Sequence, residues 1–317
     1  MDYRSIAYAA EGRTATITLN RPHRMNAIDG AMPREIAAAV ERANADDDIH
    51  VIILTGAGDG FCGGYDLIEY AERPGERPGS QLGGATKDAD PSRPPLPWDP
   101  MADFYGMHRN TQDFMSLWRS YKPTIAKVNG PAVAGGSDIA LCCDLVIMAD
   151  EARIGYPPAR VWGCPTTAMW VYRLGAEKAK RMLFTGDLIY GPEAVKLGLV
   201  LESVPRAQLD ARVAQIAARM AGVPRNQLMM QKLMINQAYE NMGLASTQMT
   251  ATLFDGITRH SPEGVWFKQR AEEAGFKQAI KERDGGDPIA EGWSRPFSRR
   301  RRDPMGGATG GVEEPGG

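Results

Sequence analysis

Polar and apolar residues alternate along Arg13–Thr14–Ala15–Thr16–Ile17–Thr18–Leu19, which predicts a half-buried strand. A β-like run over 3–9 precedes it, and Glu11–Gly12 between the two predicts an opening hairpin that ends at Asn20–Arg21–Pro22. The period then lengthens. Ile36, Ala39, Val40 and Ala43 share one face of a helix predicted over 31–45. The continuous apolar run His50–Thr55 predicts a buried strand. It leads into a glycine-rich stretch and a short helix over 66–71. Helical spacing returns over 104–120, with strands at 124–128 and 144–149 and an extended piece at 152–158. Helices at 166–173, 176–184 and 192–197 lead to a last strand at 200–204.

From 206 onward almost everything reads as helix. Leu209, Val213, Ile216, Ala217 and Met220 share a face of 206–221, and 226–241 and 244–259 are long and Met-rich. Such a block is an oligomerisation element or a cap over the sheet, and the pattern leaves both open. Strands alternating with helices, then helices alone, predict an α/β fold with a helical appendix. The expected organisation is a core over 1–205, a helical region over 206–284 and a disordered tail over 285–317, where Gly, Pro and Arg dominate. Within the core, 72–103 holds Pro74, Pro78, Pro91, Pro94, Pro95, Pro97 and Pro100. That density excludes a packed helix or central strand and marks an inserted excursion, a lid or a disordered loop.

Composition narrows the partners. A chain of 317 residues with 43% hydrophobic and 24% charged residues can bury a large core. Its net charge of −2 gives no case for nucleic acid or an anionic membrane. The N-terminal residues lack the apolar core of a signal peptide and no apolar run reaches bilayer length, so a cytoplasmic location is expected. Cys62, Cys142, Cys143 and Cys164 form no C-x-x-C, and the histidines are scattered, which argues for reduced thiols and no metal site.

Two glycine-rich turns carry the candidate chemistry. In Asn129–Gly130–Pro131–Ala132–Val133–Ala134–Gly135–Gly136–Ser137–Asp138, a glycine pair enters an apolar helix, so unpaired N–H groups there can hold an anion or a developing oxyanion. Asp138 is either a dipole partner or an acid/base beside it. The other turn contains Gly58–Asp–Gly–Phe–Cys–Gly63, a literal G-x-G-x-x-G. A dinucleotide fold needs a helix at once and an acidic residue about 20 positions on, where this chain has its proline-rich stretch. Taken together, 61–66 and 134–138 could each give one N–H to a single carbonyl oxygen.

Asn20–Arg–Pro–His–Arg–Met–Asn–Ala27 resembles the N-R-P-x-x-x-N-A opening of the enoyl-CoA hydratase/isomerase (crotonase) superfamily. Val51–Gly56 with Phe61–Leu67 is similar to its V-x-x-T-G…F-C-A-G-x-D-L, and Asn129–Gly136 to its N-G-x-A-x-G-G-G. Cys143–Asp144, Ala152–Gly155, Gly186, Ala194 and Gly198–Val200 follow the family's later motifs in order, so the resemblance spans residues 3 to about 280. It implies a spiral of ββα turns with a C-terminal helical trimerisation region, and a homotrimer or dimer of trimers. It implies an acyl-CoA thioester substrate and no cofactor apart from the coenzyme A of that substrate. The backbone N–H groups of Tyr65 and Gly135 would form an oxyanion hole. Arg24, Ala27, Gly63, Gly64, Asp66, Leu67, Gly136 and Lys268 fall at substrate or CoA positions, and Trp98, Tyr156 and Trp162 at the acyl pocket, with Phe104 and Cys164 near it.

The departures matter more. Hydratases of the family use two glutamates, and here those positions are Asp138 and Pro158, while Ala134 replaces the first glycine of G-G-G. The expected function is therefore an acyl-CoA enzyme of the hydratase/isomerase type that stabilises a thioester enolate; hydration stays open, and isomerase-like or other single-carboxylate chemistry fits Asp138 and Pro158 better. The alternatives are a non-catalytic CoA-thioester binding protein and an NAD-dependent oxidoreductase.

Overall fold

The computed structural model describes residues 2–72 and 100–286. In chain order its elements begin with β1 (Ile6–Glu11), β2 (Thr14–Leu19), α1 (Met32–Ala45), β3 (Val51–Gly56) and a π-helical turn at Ile68–Glu72. Next come α2 (Pro100–Phe114), α3 (Ser116–Arg119), β4 (Thr124–Val128), β5 (Ala132–Val133) and α4 (Gly135–Leu141). Then follow β6 (Leu145–Ala149), β7 (Arg153–Gly155), α5 (Met169–Leu174), α6 (Ala176–Thr185), β8 (Leu188–Tyr190), α7 (Gly191–Leu197) and β9 (Glu202–Val204). The helical block is α8 (Arg206–Ala221), α9 (Arg225–Asn241), α10 (Leu244–His260), α11 (Pro262–Ala274) and α12 (Phe276–Gly285).

The alternation in β2 buries Ala15, Ile17 and Leu19, and β1 pairs with it antiparallel from Ile6↔Leu19 to Glu11↔Thr14. β3 is buried at every residue because it lies inside a parallel array, with Thr14↔Val51 on one side and Ile52↔Thr124 on the other. The sheet order is β1-β2-β3-β4-β6-β9. A second sheet, β5-β7-β8, stands beside it, and isolated bridges Cys62↔Ala132 and Ile28↔Tyr65 extend its ladder toward the N-R-P loop. Three loops far apart in sequence are thereby laid side by side.

Two side chains fix that arrangement. Asn129 Nδ2 donates to the carbonyls of Gly56 and Gly58, both at 2.9 Å, while its Oδ1 accepts the Gly56 N–H at 3.1 Å. Asn26 Nδ2 donates to Ala57 O and Gly60 O at 2.9 Å. Replacing Asn129 by alanine strands buried polar groups on the first loop and should cost about 2 kcal/mol or more. A lower urea midpoint at unchanged slope would show it. Asp144, a motif residue, also acts in the fold: its Oδ2 accepts the Thr124 N–H at 2.7 Å and pairs with the buried Lys232 ammonium at 2.8 Å.

The structure differs from the pattern in several places, among them a 3-10 turn at Pro157–Ala159 within the stretch read as extended. Pro100 to Asp103, assigned above to the excursion, form the first turn of α2, where a proline lacks nothing that the helix uses. β8 is three residues long and too short for periodicity to reveal. The predicted helix at 66–71 starts at Ile68 and is π-helical. The helical block packs one face inward and leaves another exposed. α10 buries Leu244, Gln248, Thr252, Asp255, Gly256 and Arg259, and exposes Met249, Leu253, Phe254 and Ile257.

Candidate active site

The first glycine loop reaches the site through its bridge to Ile28. Gly64 O accepts the Ile28 N–H at 2.8 Å and the Asp66 N–H donates to Ile28 O at 3.0 Å. Neighbouring peptide groups in extended chain point opposite ways, so the N–H of Tyr65 faces away from Ile28. Gly64 has φ +93°, and a Cβ there would lie 2.9 Å from Ala134 Cβ. A Cβ on Gly136 would lie 2.2 Å from Cys62 O. The two loops therefore touch at backbone distance, and only glycine permits it. On the second loop, the N–H groups of Ser137 and Asp138 both donate to Ala134 O, at 2.9 and 3.2 Å. Gly135 precedes them as the first residue of α4, so its N–H has no intrahelical partner. Neither Tyr65 N–H nor Gly135 N–H has an acceptor among the described residues.

Ala134 makes this turn at φ +54° and ψ −126°, a conformation that suits glycine. Ala134→Gly should stabilise the protein by about 0.5–1 kcal/mol, visible as a melting point about 1–4 °C higher.

A cavity of about 280 Å³ opens on these groups. Gly63, Tyr65, Leu67, Gly135, Asp138, Tyr156, Pro158 and Trp162 line it. Asp138 is 3% exposed, and Thr167 Oγ1 donates to its Oδ1 at 3.0 Å. Burial, reinforced by the nearby Asp255 charge, pushes its carboxyl well above the usual carboxylate range despite that hydrogen bond. Pro158, on the same wall, can move no proton. Tyr156 is buried and lines the cavity. Trp162 sits at φ +85° with its ring centroid 5.0 Å from that of Phe267. Burial first, then the Asp255 and Asp138 charges, push the Cys164 thiol up to about 12, so it is no thiolate nucleophile at neutral pH.

The other sequence candidates lie behind or beside the cavity. Asp66 is buried and binds Arg21 Nη2 at 3.0 Å and Arg24 Nε at 3.2 Å. Burial alone would raise its carboxyl, but the Arg24 and Arg21 hydrogen bonds outweigh that and hold it below the ordinary value. Arg24 remains partly exposed at this pair. Ala27 carbonyl accepts from Arg21 Nη1, and Gly64 and Gly136 make the loop–loop contact. Lys268 is buried away from the cavity lining, with Nζ donating to Ala71 O at 2.8 Å and to Glu272 at 2.7 Å. Phe104 stacks on His108 and does not line the cavity. Trp98 lies outside the described residues. No cluster of His, Cys, Asp and Glu among the described residues suits a metal ion, and none of their helices is long and apolar enough to cross a membrane.

The family model for enoyl-CoA hydratase/isomerase matches residues 10–84 and 105–273. The chain belongs to this family. It is 46% identical to an enoyl-CoA hydratase of Mycobacterium smegmatis whose crystal structure superimposes with a TM-score of 0.81, covering 90% of this chain and 94% of that one. The crystal structure of an enoyl-CoA hydratase/isomerase from Xanthobacter autotrophicus Py2 gives 29% identity and a TM-score of 0.77 over 90% of this chain and 100% of that one. The (E)-benzylidenesuccinyl-CoA hydratase of Thauera aromatica is 30% identical over 220 residues, 68% of this chain and 76% of its own. The crotonase-like α/β fold with its C-terminal helices and the assignment as an acyl-CoA-processing enzyme rest on these matches together with the fold above. The literal G-x-G-x-x-G, by contrast, runs into the Tyr65 loop and a five-residue π-helical turn, not into the helix a dinucleotide needs.

Sequence reading missed the far wall of this enzyme's cavity. Asp103, Met107 and Asn110 come from α2, and Asp255 and Arg259 from α10. Arg259 binds Asp103 through Nε and Nη2, each at 2.8 Å, and Asp255 through Nη1 at 2.5 Å. Asn110 Nδ2 donates to Tyr65 Oη at 3.2 Å. One signal was available: Gln248, Asp255 and Arg259 recur at helical spacing on a single face of α10.

Proposed function

We propose that the enzyme binds an acyl-CoA thioester with its carbonyl oxygen between the N–H groups of Tyr65 and Gly135, and stabilises the enolate that forms there. The observation that carries this reading is the backbone contact of the two glycine loops, with both N–H groups lacking an acceptor at the mouth of one cavity. Charge develops on that oxygen during enolisation, so donors already in place lower the barrier without reorganisation. Asp138, the third residue after Gly135, is the acid/base toward the acyl chain. Arg24, partly exposed beside Asp66, would take the anionic end of CoA. The test is a panel of 2-enoyl and 3-enoyl thioesters in deuterated water, followed by mass. Added water, carbon-bound deuterium or a moved double bond supports the reading.

Pro158 favours a second reading, in which the protein binds CoA thioesters without turning them over. Tight binding with no change in any thioester is its signature.

The assembly proposed is a homotrimer or a dimer of trimers. Its support is the apolar outer surface of α9 and α10, with Met230, Met234, Ile235, Met249, Phe254 and Ile257 exposed. Light scattering should return three or six times the chain mass of 34.5 kDa. Phe254→Asp should lower that value.

A further inference from the structure

Besides Asp138, the cavity lining holds Asp255, a carboxylate that no sequence motif marks, together with Asp103 and Asp284. Asp255 is 2% exposed and lines the same cavity as Asp138. One short segment spans the two: the Cys164 N–H donates to Asp255 Oδ1 at 2.9 Å, and Thr167 Oγ1 donates to Asp138 Oδ1 at 3.0 Å. Gln248, two turns before Asp255 on α10, donates to Thr167 O at 2.9 Å and locks this segment to the helix. Arg259 gives its two-nitrogen fork to Asp103 and only Nη1 to Asp255. One carboxylate would neutralise that guanidinium. Two share it, with His260 Nε2 3.3 Å from Asp103 Oδ2 as a further neighbour, and a buried cluster of this kind is a cost to stability and not a gain.

The two carboxylates also differ in kind. Asp138 has a hydroxyl donor and no cation on it, whereas Asp255 has a guanidinium. Burial raises both, but Arg259 opposes it only at Asp255. Asp138 therefore keeps its proton to higher pH and Asp255 keeps its charge to lower pH. Environments that push a carboxylate pair apart assign the acid and the base.

We infer that Asp255 is the second acid/base carboxylate of the acyl pocket, supplied by α10 in place of the one absent at Pro158, and that the pair adds water to a 2-enoyl thioester. The inference rests on the thioester site proposed above. Asp255 takes one proton from water while the water oxygen bonds to C3. The C2–C3 π pair moves into the thioester, and its enolate oxygen lies between the N–H groups of Tyr65 and Gly135. Asp138 then gives its proton to C2 and the carbonyl re-forms. Solvent removes the proton from Asp255 and returns one to Asp138, so the sum is enoyl thioester plus water giving a 3-hydroxyacyl thioester.

The test uses the full chain and straight-chain 2-enoyl-CoA thioesters. Asp255→Asn should lower kcat by about 100-fold or more, with affinity for a saturated acyl-CoA unchanged. It should also remove the acidic limb of the kcat/KM profile, whereas Asp255→Glu should restore that limb at a reduced rate. The groups facing Asp255 are Asp138 from α4, Asp103 from α2, Arg259 from its own helix, Cys164, and the Tyr65 and Tyr156 hydroxyls. None of them supplies a limb that responds to both substitutions in this way. A purely structural role would lower the melting point and weaken binding while leaving the profile's shape alone, and that result overturns the inference. Where Asp255→Asn does not fold, Asp255→Glu decides: wild-type kcat and profile overturn it. If Asp138→Asn is inactive while both Asp255 variants keep the wild-type rate, this inference falls and the thioester site stands. If the wild-type protein binds and changes no thioester, both fall.

Discussion

Replacing Asp138 by asparagine should lower kcat on an enoyl-CoA substrate by about 10²–10⁴-fold, the usual worth of a positioned acid/base, while making the protein more stable at neutral pH. The opposite signs follow from one cause. Asp138 is buried without a cation, so its carboxyl titrates well above the usual range in the folded protein. Below about pH 4, folded and unfolded chains are both protonated at this residue and its burial carries no ionisation penalty. As pH rises the unfolded chain loses the proton and the folded one holds it, so stability falls toward the folded pKa. Asparagine carries no charge at any pH and still offers an oxygen to Thr167. The melting-point advantage of Asp138→Asn should therefore be absent in acid and grow toward neutrality, as calorimetry across pH would show. A variant that keeps full rate removes Asp138 from the mechanism. One that is less stable at neutral pH contradicts its placement as a buried, uncompensated acid.

Gly136→Ala should cost about 10²–10³-fold in kcat, the loss typical of removing one oxyanion donor. The added methyl would fall 2.2 Å from Cys62 O and 2.8 Å from Cys62 C, and both are backbone atoms that cannot turn aside. The loops must separate, and the N–H of Gly135 moves with its neighbour. The expected signature is a kcat loss larger than any change in KM, because the donors matter most where charge develops. Gly222→Ala is the control. Its added methyl meets nothing nearer than 3.4 Å at the end of α8, and neither rate nor assembly should change.

The chain shows its architecture where neighbours in sequence are neighbours in space. The alternation over Arg13–Leu19 and the apolar run over His50–Thr55 are local patterns, and they became β2 and β3. The two glycine loops were legible because each motif is contiguous, and their family resemblance supplied the pairing that no single stretch contains. Asp255 and Arg259 were not legible in the same way. They lie on the third helix of a Met-rich block, and their meaning depends on α2 and on residues 164–167, which only the fold brings to them. Lys268 shows how little a stretch of sequence says about a side chain's partners. A basic residue in the right stretch of sequence is, in space, tied to Ala71 and Glu272 beneath the first loop. Ala134 shows a third case, since its identity was readable but its positive φ was not.

The central claim is that the N–H groups of Tyr65 and Gly135 grip one thioester oxygen. Infrared difference spectroscopy of an acyl-CoA carrying carbon-13 at the thioester carbonyl tests it without turnover. On binding to the wild-type protein the labelled C=O stretch should move to lower frequency, and the shift should shrink in Gly136→Ala while bound ligand is still present. A stretch at its free-solution frequency in the wild-type complex, under saturating ligand, would contradict the account.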